Sequence, residues 1–179
     1  MVAALDVPTL RSQRLILEPL SSAHTAGMFA LWSRPEVCEF SGGAIDIEGR
    51  PIRLPARTPE DSDKIIAFFA HGAARGARFR WAMLTRNDRS FVGAVGFNAL
   101  GACAELAYHL RPDYWGQGLM TEAAVLALNW LRRRPGAVEV EAFVEPANLA
   151  SVRLIERLGL NATGETADGA DRYLMALGV

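Results

Sequence analysis

The sequence predicts an α+β fold built on a mixed sheet, and three observations carry that expectation. Strand-like apolar runs at 79–84, 91–97 and 104–110 follow one another over short connections, which makes them an antiparallel meander. The run at 104–110, a helical stretch and a further strand at 138–144 form a strand–helix–strand unit, so its two strands run parallel. Helical spacing of apolar residues recurs before, between and after these strands, so helices accompany the sheet along the whole chain.

Composition sets the frame for these elements. A chain of 179 residues, half of them apolar and 22 % charged, suits one globular domain with a sizeable core and excludes a disordered chain. Its 19 basic and 20 acidic side chains give a formal charge of −1. No bulk attraction to nucleic acid or to an anionic membrane is therefore expected, and any polyanion site must be local. No apolar run approaches the ~20 residues that span a bilayer, and MVAALDVPTLRSQR lacks the pattern of a signal peptide, so a cytoplasmic protein is expected. Cys38 and Cys103 supply neither a disulfide framework nor a metal-ligand cluster; both read as packing residues, and no metal is expected.

Taken in order, residues 13–19 alternate Leu15 and Leu17 with polar neighbours and open the fold as a strand. Ser21 and Ser22 can cap the next helix, whose apolar stripe is Met28, Leu31 and Trp32, and a short helical turn starts at Pro35. Glycines and prolines punctuate 41–57, a hairpin-like and mobile excursion expected to act as a lid on one side of the domain. Thr58, Pro59, Glu60 and Asp61 provide a cap, a proline at the first helical position and first-turn acids. The helix they start shows Ile65, Ile66, Phe68, Phe69 and Ala73 on one face and stops at Gly76. After the meander, LMTEAAVLALNWLRR is apolar at 119, 123, 126, 127, 130 and 131 and ends before Pro135 and Gly136. A helix at 148–159 ends at Gly159, and two short strands flank the Asp168-Gly169 turn.

The chemistry concentrates in RPDYWGQGLMTEAA at 111–124. Gly116 and Gly118 stand between a strand and a helix start, where backbone N–H groups have no intrahelical partner. Missing side chains let phosphate oxygens approach the backbone, and the helix dipole adds about half a positive charge. The same glycine pair also suits a plain tight turn. A Walker loop is excluded because Gly-Lys-Ser/Thr is absent, and the dinucleotide fingerprint because Thr121 stands where its third glycine belongs. A pyrophosphate ligand of another kind remains.

At this point the chain resembles the GNAT superfamily of acetyl-CoA-dependent N-acetyltransferases, in its RimJ/RimL-type branch of ribosomal-protein N-terminal alanine acetyltransferases. RLILEPL, FVGAVGF, AELAYHL, YWGQGLMTEAA and NLASVRLIERLGL carry the resemblance, in family order over nearly the whole chain. It implies a single such domain over 1–179, with a mostly antiparallel mixed sheet splayed between the parallel strands at 104–110 and 138–144 and helices on both faces. Acetyl-CoA would be the co-substrate, its pantetheine arm in the splay. Its contacts would run from Leu110 across Tyr114, Trp115, Gly116, Gln117, Gly118, Leu119, Met120 and Thr121, with Asn148 and Ser151 further in. The family pattern Gln/Arg-x-x-Gly-x-Gly/Ala is met at both glycines and departs at Asp113. By resemblance Asn148 contacts the pantetheine and Ser151 assists the departing thiolate; the two also suit a helix cap and its third residue. Many members carry a tyrosine as general acid where this chain has Ile155.

Transfer to an amine needs proton removal, an oxyanion donor and help for the thiolate. On a regular strand Glu105 and His109 share one face, where they could form a base directly or through water; equally, Glu105 could be paired across the sheet and His109 fill a groove. The catalytic candidates are thus Ser151, Glu105 and His109. Trp81, Phe97 and Tyr108 read as core, and Arg132, Arg133 and Arg134 as solvated surface. The acceptor is a primary amine, on a protein N-terminus or a small molecule, and the family is compatible with a homodimer. A CoA-binding or protein-interaction module without turnover is the alternative.

Overall fold

The computed structural model describes residues 4–178. Its main sheet has eight strands in the order β1-β2-β5-β6-β7-β8-β10-β9. They are β1 (Leu10–Arg11), β2 (Leu15–Pro19), β5 (Phe79–Thr85), β6 (Phe91–Ala99), β7 (Cys103–Leu110), β8 (Glu139–Val144), β9 (Asn161–Ala167) and β10 (Ala170–Ala176). Every neighbouring pair is antiparallel except β7 and β8, as the sequence predicts. The two-residue β1, which pairs with β2, is an addition to that reading; so short a run carries no alternation to detect.

One sheet face is covered by α4 (Leu119–Leu131) and α5 (Leu149–Arg157), whose buried Leu128, Leu131 and Ile155 join Leu15, Trp81, Val95 and Phe97 in the larger core. Trp130 seals it edge-on against Phe79 and Trp81, with ring centroids 5.0 and 5.4 Å away. The other face carries α1 (Thr25–Trp32), α2 (Pro35–Cys38) and α3 (Pro59–Ala74). There Met28, Leu31, Ile65 and Ile66 meet the small Ala82 and Ala94, which let helices sit close to the strands.

Local chemistry fixes the helix starts. Asp61 accepts from the amides of Arg57 and Thr58 and completes the capping box of α3. Ser21 caps a single 3-10 turn at 22–24, so α1 begins at Thr25, a little later than its apolar stripe suggests. The excursion at 41–57 contains a two-stranded hairpin, β3 (Ala44–Ile45) with β4 (Pro51–Ile52). In mid-sheet, a Cβ on Gly96 would stand 2.3 Å from the Phe79 carbonyl oxygen, so only glycine allows β5 and β6 their approach.

Candidate active site

β7 and β8 are joined only at Cys103↔Glu139, Ala104↔Val140 and Glu105↔Glu141. Beyond Glu105, β7 stays paired to β6 as far as Leu110, and β8 stays paired to β10 as far as Val144, but the two diverge from each other. The result is a slot through the sheet whose facing main-chain edges lack a strand partner. A groove of about 1330 Å³ runs through it, lined by Trp32, Phe69 and Arg80 on one face and Leu119, Ser151 and Leu154 on the other. Pockets for one drug-sized ligand measure roughly 300–1,000 Å³, so this one has room for two reactants.

The loop after β7 forms the groove's mouth. A 3-10 turn at Pro112–Tyr114 leads to Gly116 and Gly118, with φ of +73° and +74°, and Gly118 caps α4. Side chains rarely adopt this left-handed backbone, which accounts for both glycines. Among the described residues, the consecutive amides from Gly116 to Thr121 donate to nothing; the Glu122 N–H is the first to fold back, onto the Gly118 carbonyl. Aligned free amides at a helix start bind phosphate oxygens. Arg14 braces the loop from the start of β2, donating to the Gln117 carbonyl at 2.8 Å and to Glu122 at 2.7 Å. Half-exposed Trp115 donates its indole N–H to the Leu110 carbonyl at 2.9 Å, Tyr114 lies under Arg111, and Leu119 and Met120 are buried beneath the loop. Coenzyme A, which the resemblance implies, fits these residues: the free amides suit a pyrophosphate, and the unpaired strand edges suit an amide-bearing arm.

Deeper in the slot, Asn148 caps α5 by accepting the Ser151 N–H at 3.2 Å, which leaves its own amide nitrogen free. The Ser151 hydroxyl is 2.5 Å from the Tyr108 hydroxyl. Burial, partly offset by that bond, pushes the Tyr108 phenol up to about 12. Tyr108 packs against the larger core, as its reading from sequence expects, and also lines the groove, which that reading leaves out. Its alternation with Glu105 was the available signal, because it turns Tyr108 toward the face that α5 covers. Ile155 is fully buried and takes no part.

Glu105 and His109 share the opposite face, and four residues along a strand separate them by about 13 Å. Asn98 joins Glu105 to Arg80, donating to the Glu105 carboxylate at 2.7 Å and accepting from the guanidinium. His109 lies against Trp32, with ring centroids 4.5 Å apart. Burial, assisted by the Arg80 charge, lowers its pKa to about 3, so the imidazole is neutral near pH 7. Cys38 and Cys103 are unbonded to one another, stand outside the groove, and have thiols pushed up by burial. Among the described residues no group of three or more His, Cys, Asp or Glu could hold a metal ion, and no helix is long and apolar enough to cross a membrane.

Comparison with known proteins agrees with this fold. The chain is similar to an N-acetyltransferase of unassigned role, YoaA of Bacillus subtilis (strain 168), with 26 % identity over 88 % of this chain and 85 % of the relative. Among solved structures, the ribosomal L7/L12 α-N-protein acetyltransferase RimL in complex with coenzyme A superposes with a TM-score of 0.77 at 18 % identity, covering 94 % of this chain and 98 % of that one. An acetyltransferase from Agrobacterium tumefaciens str. C58 gives 0.73 at 22 %, covering 96 % and 95 %. At such identities these likenesses speak for the fold. Residues 14–161 match the acetyltransferase (GNAT) domain model, most of the chain, and the protein therefore belongs to the GNAT family of acetyltransferases.

Proposed function

We propose that the protein, read as one domain over 1–179, transfers the acetyl group of acetyl-CoA directly to a primary amine. The resemblance to the RimJ/RimL branch favours a protein N-terminus as that amine. One observation carries the reading: the free amides from Gly116 to Thr121 open onto a slot that leads to the Ser151 hydroxyl. Acetyl-CoA supplies the activated acetyl thioester. The loop amides hold its pyrophosphate, the unpaired edges of β7 and β8 hold the pantetheine arm, and Asn148 and Ser151 meet its far end.

The two faces of the slot divide the proton chemistry. Ser151, tied to Tyr108, donates a hydrogen bond to the departing thiolate. A phenol near 12 keeps its own proton against a thiol of about 8.5, so the hydroxyl pair stabilises charge and does not itself become charged. On the acceptor face Glu105 takes the amine proton, directly or through water, while neutral His109 shapes the wall. Neither cysteine reaches the groove, so no acyl-enzyme is required.

Replacing Gly118 by valine puts a β-branched side chain at a φ of +74° and into the phosphate path. Calorimetry should show CoA binding abolished while the domain stays folded, its melting temperature lowered by the strained backbone; wild-type affinity would overturn the placement. Buried Ile155, in place of a tyrosine acid, favours the alternative of a CoA-binding module without turnover. Thiol release from acetyl-CoA with a panel of amines and N-terminal peptides separates the two.

A further inference from the structure

The acceptor face holds more positive charge than proton removal requires. Arg80 on β5 is only 5 % exposed, yet it lines the groove. Its guanidinium donates to the Phe79 carbonyl and to Asn98 and lies over Phe69 at 4.1 Å, leaving donors unused. Arg78 donates to the Asn98 carbonyl and lies over Phe68 at 4.7 Å. Among the described residues neither guanidinium has a carboxylate within ion-pair distance, since Glu105 is held by Asn98. Two guanidiniums and one carboxylate thus share the floor, and a buried cation without a paired anion is costly. Burial, with the Arg78 charge adding to it and Glu105 opposing, brings Arg80 down to about 9. Trp32, on the same half of the groove, adds an indole N–H that is buried and meets no acceptor. The acids Glu36 and Glu39 lie at the exposed rim, and Glu36 is engaged by Arg34.

We infer that this floor is a carboxylate subsite, so that the acceptor is an amine carrying a carboxylate close to its nitrogen. Free amino acids and peptides that begin with Asp or Glu both present that chemistry. The amine, present as the free base after its ammonium form has lost one proton to solvent, turns to Glu105, and the carboxylate to Arg80 and Arg78, which can grip it through parallel N–H donors. As the N–C bond forms and the C–S bond breaks, the amine proton leaves through Glu105 and the thiolate departs on the Ser151 side. This inference rests on the transferase reading.

The test measures thiol release from acetyl-CoA with matched acceptors: amino acids against their amides, and peptides starting with Asp or Glu against those starting with Asn or Gln. We expect at least a tenfold higher kcat/KM for the carboxylate member of one pair. Arg78→Gln and Arg80→Gln should each erase that preference by raising acceptor KM, while calorimetric CoA affinity holds. Should Arg80→Gln fail to fold, Arg78→Gln still decides, because its side chain lies nearer the surface. Equal use of acids and amides overturns the subsite and leaves the transferase reading standing. No turnover of any amine together with no binding of CoA overturns that reading, and the subsite with it.

Discussion

Tyr108 and Ser151, 43 positions apart in the sequence, meet on the face of the sheet that α5 covers. Ser151 and Asn148 stand out in the sequence because a short motif at a helix start makes them visible. Tyr108 does not, because a tyrosine among apolar neighbours has the pattern of a core residue. Ser151→Ala should lower kcat by up to roughly 10²–10⁴-fold, the range of acid–base effects, and leave the KM for acetyl-CoA nearly unchanged. Tyr108→Phe keeps the ring and removes only the hydroxyl, so a smaller fall, about tenfold in kcat, is expected. Wild-type rates in both variants would reduce the pair to a structural hydrogen bond.

Among the elements, the loop at 111–118 and the start of α4 were legible because glycine spacing before a helix has a direct backbone meaning. What braces them was not. Arg14 and Glu122 lie 108 residues apart, and nothing local to either announces the partner. Arg14 is half exposed, and an exposed pair of this kind contributes about 0–1 kcal/mol to stability. Its second bond, to the Gln117 carbonyl, falls on the turn proposed to hold the pyrophosphate. Arg14→Ala should therefore shift the melting temperature by only a few degrees yet weaken CoA binding by about tenfold in calorimetry. Unchanged affinity would show that the loop holds its shape unaided. The hairpin at β3 and β4 was foreseen from glycines and prolines, but the partners that Ala44 and Ile45 face across the groove could not be read from local pattern.

For the whole molecule, the meander and the parallel pair were readable because short connections and a single crossover leave few topologies. The slot's two-sidedness was not, since it depends on how far two strands diverge after three paired positions. His109 links this architecture to stability. Its folded pKa is lowered from 6.5 to about 3 by burial and then by Arg80. The unfolded chain thus binds a proton that the native state refuses, and stability falls as pH drops from about 6.5 toward 3. Melting curves between pH 7.5 and 4 should lose stability less steeply in His109→Gln than in wild type; parallel profiles would contradict the buried neutral ring. At the far margin of the sheet, all seven residues of β9 are exposed, none is a large apolar side chain, and its pairing with β10 shifts register near Asp171. Such a polar, irregular border offers a poor template for another molecule's strand, so the protein resists fibril-like stacking at the place where an open sheet is most vulnerable to it.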